Sequence, residues 1–400
     1  MPGPLDGIRV LELGFWVAGP AAAGILADWG AEVIKIEPPT GDPFRGIFIS
    51  AAGIEVPFNP PFELDNRGKR SIALDLDSKE GQAITHRLLA ASDVFVTNLR
   101  PSALARLGLD YESLSARYPR LVYCSVTGYG LEGPEGDRPA YDVGAYWARA
   151  GIAAALVPCG AEPPQQRGGM GDHTAGVTAV AAICAALFSR ERTGTGQLVS
   201  TSLLRVGLYV LGWDVNTQLR FGAVNPPWDR RTTLNPLINC YRAGDQHWLW
   251  LLGLQGDRHW PDLLRAVERP ELRDDPRFRD LGARRDNAPA MVAILDEVFA
   301  TRPRAAWAEA LDRAGMWWAP VHTFDEIPHD PQLRPAGALV SVPVADGEAE
   351  MLASPADFSA TPWAARGTAP ECGQHTEEIL LELGYDWDGI AQLKEKAVIP

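Results

Sequence analysis

The stretch from Ile8 to Glu37 constrains this chain more than any other. Ile8–Leu13 reads as a buried strand, and Ala18-Gly19-Pro20 opens a helix of small residues from Ala21 to Trp29. Gly30 ends that helix, and Glu32–Glu37 reads as a second strand. Proline suits a first helical turn and glycine a helix end. Strand, short helix and strand in so small a span make a βαβ unit, which demands parallel pairing and a right-handed crossover. The alternation continues with a strand at Ser71–Leu76, a helix at Lys79–Ala91, and strands at Val94–Thr97 and Leu121–Val126. The pattern predicts an α/β fold with a Rossmann-like, doubly wound parallel sheet. A long Ala-rich helix is expected over His173–Arg190 and a second apolar helix over Thr201–Leu219.

Pro, Trp and Arg cluster at Gly222–Arg231, which reads as a linker. A smaller α+β lobe follows, with strands at Leu237–Arg242 and His247–Leu252 and helices at Trp260–Val267 and Ala288–Phe299. Regular segments resume at Val321 and close with helices at Thr376–Leu383 and near Gly389–Glu395. The expected division is a large domain over residues 1–222, a small one over 223–320 and a C-terminal segment over 321–400.

Several function classes fall away. With 51 acidic against 37 basic side chains the formal charge is −14, and nucleic-acid binding needs the opposite balance. The first turn, Gly14-Phe15-Trp16-Val17-Ala18-Gly19-Pro20, lacks the GxGxxG that lets a backbone approach a dinucleotide pyrophosphate. Five scattered cysteines, Cys124, Cys159, Cys184, Cys240 and Cys372, read as reduced thiols, and the histidines form no metal-ligand pair. Met1–Asp6 has no basic region leading into an apolar one, and the apolar run Ala175–Leu187 is too short to span a bilayer. A cytoplasmic protein without metal, membrane or nucleic-acid partner is expected.

Arg167-Gly168-Gly169-Met170-Gly171-Asp172-His173-Thr174-Ala175-Gly176 is the most informative segment. Asp172 can be a helix N-cap, a role aspartate favours. It can equally be a nucleophilic carboxylate on a glycine loop whose backbone N–H groups face developing negative charge. Position by itself leaves both open.

Other segments bear on the choice. Pro4-Leu5-Asp6-Gly7-Ile8-Arg9-Val10-Leu11, Gly30–Glu37, Gly41-Asp42-Pro43, Asn66–Ser71 and Asn98-Leu99-Arg100-Pro101 stand in order along the chain. Leu107–Tyr111, Gly133-Pro134, Asp137–Asp142, Gly194–Gln197 and Gly373–Leu380 follow. In this order and spacing the chain resembles the class III coenzyme A transferases, which include formyl-CoA transferase and carnitine CoA-transferase and have α-methylacyl-CoA racemase as a relative. The resemblance implies a CoA-transferase with Asp172 as covalent nucleophile and Asp142 as a supporting acid. It implies that Val17, Asn98, Leu99, Arg100, Arg106, Tyr141 and Gly171 line the CoA site. It further implies no cofactor beyond the CoA thioester, a large domain built from both chain ends, and a ring-like subunit interlocked with its twin in a homodimer. Acyl-CoA and a carboxylic acid are the expected partners, with succinyl-CoA a generic donor.

The departures from the family matter too. Racemases resemble a Gly-His-Asp pattern where this chain has Ala140-Tyr141-Asp142, and a neutral tyrosine poorly replaces an imidazole base near pH 7. Racemization by proton transfer and non-catalytic acyl-CoA binding remain the alternatives. Pro38-Pro39 and Pro139 stand where relatives carry basic residues for CoA phosphates, leaving Lys69, Arg70 and Arg45 as substitutes. Val224–Arg231 has no glycine run and Val17 replaces a glutamine, so a formyl or oxalyl substrate pair is not expected. The tryptophans of the small lobe, among them Trp248, Trp250, Trp260, Trp307, Trp317 and Trp318, are expected in its core or along an apolar acyl wall.

Overall fold

The computed structural model describes residues 2–56, 58–158, 160–223, 229–344 and 347–400. Six strands form one sheet: β1 (Arg9–Leu13), β2 (Glu32–Glu37), β3 (Arg70–Ala73), β4 (Val94–Thr97), β5 (Val122–Thr127) and β6 (Leu198–Ser202). Their order is β3-β2-β1-β4-β5-β6 and every neighbouring pair is parallel. Successive side chains of a strand point to opposite faces, so each face has its own core. Val10, Val33, Val96, Val122 and Val126 face α1 (Ala18–Asp28) and α2 (Met170–Thr193). Leu11, Ile34, Ile36, Phe95 and Tyr123 face the helix Lys79–Ala90 and the C-terminal residues Ile379, Leu380, Ile390 and Leu393. The sheet is covered on both sides, and the chain's end packs against its beginning.

The β6 strand was not foreseen. Its Leu-Val-Ser-Thr-Ser run pairs with β5 from Tyr123↔Leu198 onward, so the expected single helix over Thr201–Leu219 is replaced by a strand and two helices. These are α3 (Leu203–Val210), whose start is capped by Ser202 Oγ accepting from the Arg205 N–H at 3.1 Å, and α4 (Gly212–Phe221). The α2 helix is also longer than expected. At 24 residues it is long and apolar enough, by length and composition, to cross a bilayer. Ala175, Ala179, Val180, Ile183 and Leu187 nevertheless place one face of it in the core of this unit.

By internal contacts the larger unit runs to Ala153 and takes in Gln165–Ala223 and Arg334–Pro400; the smaller unit holds Ala154–Pro164 and Val224–Leu333. The smaller unit has an antiparallel sheet of β7 (Ile238–Arg242), β8 (Trp248–Leu252) and β9 (Trp318–Val321). The expected crossing near Pro320 therefore falls inside a strand, because Pro320 pairs with Leu249. Tyr241, Leu249, Leu263, Phe299, Trp260 and Trp307 are buried in this unit's core.

Candidate active site at the switch point of the sheet

The strand order reverses between β1 and β4, and open α/β sheets bind ligands outside the carboxyl ends of strands at such a point. Asn98, just past β4, donates through Nδ2 to the Phe15 carbonyl at 2.8 Å and accepts the Phe15 N–H on Oδ1 at 3.0 Å. This two-point contact fixes the turn between β1 and α1. Trp16 follows with φ +63°, a left-handed backbone rarely adopted by a bulky residue. Its N–H is held by Asp42 Oδ1 at 3.1 Å. The Trp16 ring meets Tyr141 edge-on at 5.7 Å and lies 6.2 Å from Phe44, with Val17 and Phe62 in the same apolar cluster.

Buried charges support that turn from below. Lys35 Nζ donates to Glu12 Oε1 at 2.8 Å and to the Gly14 carbonyl at 2.7 Å, and lies 3.0 Å from Asp42 Oδ2. Lys69 Nζ donates to Glu12 Oε2 at 2.6 Å, to the Pro20 carbonyl and to Asn66 Oδ1. Burial brings the Lys69 ammonium down to about 8 against the pull of Glu12. Lys69 is thus not placed to meet a phosphate. Arg45 is held by both oxygens of Glu37, and Arg70 is paired with Glu32, Glu378 and Glu382. The three substitute phosphate contacts expected from the sequence are all engaged by internal carboxylates.

The second wall of the site is the start of α2. Gly169 is the N-cap, with φ +80°, and Asp172 lies within the first turn; the N-cap reading of Asp172 is thereby overturned. Asp142 supplies the missing acceptor from elsewhere. Its Oδ2 takes the Gly171 N–H at 3.3 Å and Gln166 Nε2 at 2.6 Å. Asp142 immediately precedes a π-helical stretch, Val143–Arg149, a distortion common at functional sites. Gly171 is required by contact, since a Cβ there would stand 2.5 Å from the Tyr146 ring. A Cβ on Gly169 would lie 3.9 Å from Val17 Cγ1, so the glycine loop and the first turn are neighbours.

The electrostatics single out Asp172. Burial, and then the charge of Asp142, push its carboxyl up to about 7, with a smaller push from Asp65 and an opposing pull from His173. His173 Nε2 lies 3.1 Å from Oδ1 of the buried Asp65. A largely buried acid titrating near neutrality beside other ionisable groups is a candidate for chemistry.

The other expected site residues are placed as follows. Leu99 is half-buried against the second core. Arg100 and Arg106 are exposed at the two ends of the helix Pro101–Leu107, with Arg100 Nη1 4.0 Å from Asp137 Oδ2. Tyr141 is 62% exposed beside Trp16. Residues 224–228 of the stretch expected to lack a glycine cover, and Cys159, lie outside the described residues. Among the described residues no group of three or more His, Cys, Asp or Glu could hold a metal. Trp16, Asp65, Gln166 and His173 were missed. Only His173 left a sequence signal, by adjoining Asp172.

Comparison with known proteins completes the picture. Residues 5–376 match CoA-transferase family III. The chain belongs to that family. It is 33% identical over 99% of both chains to the (R)-2-hydroxy-4-methylpentanoate CoA-transferase of Clostridioides difficile. It is 32% identical, over 98% of this chain and 96% of the other, to the cinnamoyl-CoA:phenyllactate CoA-transferase of Clostridium sporogenes. A CAIB/BAIF family protein from Brucella suis superposes with a TM-score of 0.85 at 31% identity, covering 96% of this chain and all of that one. This family III protein is a CoA-transferase acting on acyl-CoA and carboxylate substrates.

Proposed function

We propose that this CoA-transferase works through Asp172 as a covalent carrier of coenzyme A. The carboxylate attacks the donor thioester carbonyl, giving a mixed anhydride and CoA thiolate. The thiolate attacks the aspartyl carbonyl, releasing the donor acid and leaving an aspartyl–CoA thioester. The acceptor carboxylate attacks that thioester, and the thiolate then returns to the acceptor's carbonyl, freeing Asp172. Each step exchanges one acyl bond for another and needs no redox partner. The observation carrying this reading is a carboxyl poised near 7 in the first turn of α2, directly after a glycine loop that adjoins the turn between β1 and α1. Asp142 supports it by holding the Gly171 N–H and the loop.

Exposed Tyr141 and partly buried Trp16, packed on the apolar cluster of Val17 and Phe44, suit an acid with an aliphatic or aromatic side chain. The two clostridial relatives are named for 2-hydroxy acids of that kind, and an apolar 2-hydroxy acid is the proposed acceptor. Arg100 and Arg106, both exposed, are the proposed contacts for the CoA phosphates, near Leu99. Exposed Tyr209, Trp213, Leu219 and Phe221 on the successive helices α3 and α4 support a proposed interlocked homodimer, since large apolar side chains gathered on a surface favour association. The proposed location is cytoplasmic.

The decisive experiment mixes the protein with a panel of acyl-CoAs, traps with hydroxylamine, and maps adducts by mass spectrometry. A CoA or hydroxamate adduct on Asp172, lost in Asp172→Ala, is expected. α-Proton exchange without any adduct would overturn the covalent route. The pH profile gives a second prediction. Because attack needs the carboxylate, log kcat/KM should climb toward a plateau with a midpoint near 7. A flat profile between about pH 5.5 and 8.5 would exclude a rate-limiting Asp172 carboxylate.

A further inference from the structure

We propose that His173 is the positioning residue of this site: its imidazolium, tethered through Nε2 to buried Asp65, is held where its charge keeps the neighbouring Asp172 ionised. The proposal rests on the reading of Asp172 as nucleophile and extends it to a pair that this reading leaves unused. The charged groups facing Asp172 come from three elements: Asp142 ahead of the π-helical stretch, Asp65 on the helix Pro60–Asn66, and His173 on α2. The two acids oppose ionisation of Asp172, and among these neighbours His173 favours it. Three carboxylates close enough to act on one another need such a counter-charge.

The geometry makes the imidazolium a built feature. Asp65 is buried to 2% exposure and its Oδ1 lies 3.1 Å from His173 Nε2, while its Oδ2 is buried without a hydrogen-bond partner. Lys69 also acts on Asp65 through its charge but is hydrogen-bonded to Glu12, so His173 is the side chain that answers Asp65 directly. The other edge of the ring packs on the glycine loop: a Cβ at Gly169 would stand 3.2 Å from Nδ1. The His173 backbone N–H donates to the Gly169 carbonyl at 2.8 Å, as the first turn of α2 requires. The ring thus packs against Gly169, the N-cap of the helix that carries Asp172. Burial works against the charged ring, and Asp65, Asp172 and Asp142 together outweigh it, so the ring stays protonated above its ordinary range.

The test is ¹³C NMR titration of aspartate carboxyls, with the Asp172 signal assigned by its absence in Asp172→Asn, alongside pH profiles of kcat/KM. In His173→Gln the Asp172 midpoint should rise, each unit cutting the carboxylate fraction at acid pH about tenfold. The limb of kcat/KM should move with it while the plateau at high pH stays within about threefold of wild type. His173→Lys should restore the limb, and Asp142→Asn should shift it the other way. If His173→Gln does not fold, Asp65→Asn tests the tether by the ring alone: the His173 ¹⁵N midpoint should fall, and an unmoved ring midpoint would overturn the tether. The Asp172 midpoint is not read in this variant, because Asp65 acts on it directly. An unmoved Asp172 midpoint, with kcat/KM reduced equally at every pH, would mean a purely structural role. A moved midpoint in a protein that transfers no CoA would refute the nucleophile reading and leave this one standing. An unmoved midpoint in an active enzyme would refute this one.

Discussion

Asp172→Asn is expected to cost at least on the order of 10⁴-fold in kcat for CoA transfer, the scale on which enzymes lose a covalent nucleophile. An amide cannot form the anhydride or the thioester, so the acyl exchange loses its carrier. Binding of acyl-CoA should survive, because the first turn, Arg100 and Arg106 are untouched. The same variant should be more stable than wild type at alkaline pH. An ordinary aspartate in the unfolded chain titrates near 3.8 whereas the folded carboxyl titrates near 7. Between those values the native state binds the extra proton, so stability falls as pH rises through that window. The asparagine variant escapes the loss, and its advantage should grow from nothing near pH 4 to about 4 kcal/mol above pH 8. Thermal melts across pH read the stability and single-turnover assays read the chemistry. An asparagine enzyme within about tenfold of wild type would remove Asp172 from the covalent role.

The parts legible in the sequence are those governed by local patterns. β2 and β4 fall where their apolar runs placed them, at Glu32–Glu37 and Val94–Thr97, and the small-lobe helix Ala288–Phe299 matches as well. Parallel pairing followed from the βαβ alternation. β6 was missed because Leu198–Ser202 is short and only half-buried, and its identity as a strand depends on β5 beside it. Asp172 stood out through its glycines. Its elevated titration did not, because that depends on Asp142 and Asp65, which lie 30 and 107 positions earlier in the chain. Trp16 illustrates the same limit: nothing local marks its left-handed backbone, which is stabilised by Asp42 and the Asn98 clamp. Lys69 shows the reverse error. A basic residue near a glycine looked available for phosphate, and the fold buries it against Glu12.

That burial sets the largest expected stability effect. Lys35→Met should destabilise the protein by about 3–5 kcal/mol, the range found when one partner of a buried ion pair is removed. Lys35, Glu12 and Asp42 all have side chains at 0% exposure, so neither carboxylate can turn to water for compensation. The Gly14 carbonyl loses its donor as well, and an unmet buried acceptor adds its own desolvation cost. A loss of this size is a large share of the margin by which a domain stays folded. Asp42 also holds the Trp16 N–H, so acyl-CoA binding should weaken at denaturant concentrations where the sheet is still intact. The exposed pair Lys394–Glu377, at 2.7 Å, is the control: Lys394→Met should cost less than about 1 kcal/mol despite a contact of similar length. Urea unfolding of both variants measures the contrast, and equal losses would mean that the charges beneath the first turn carry no more of the fold's stability than a surface pair.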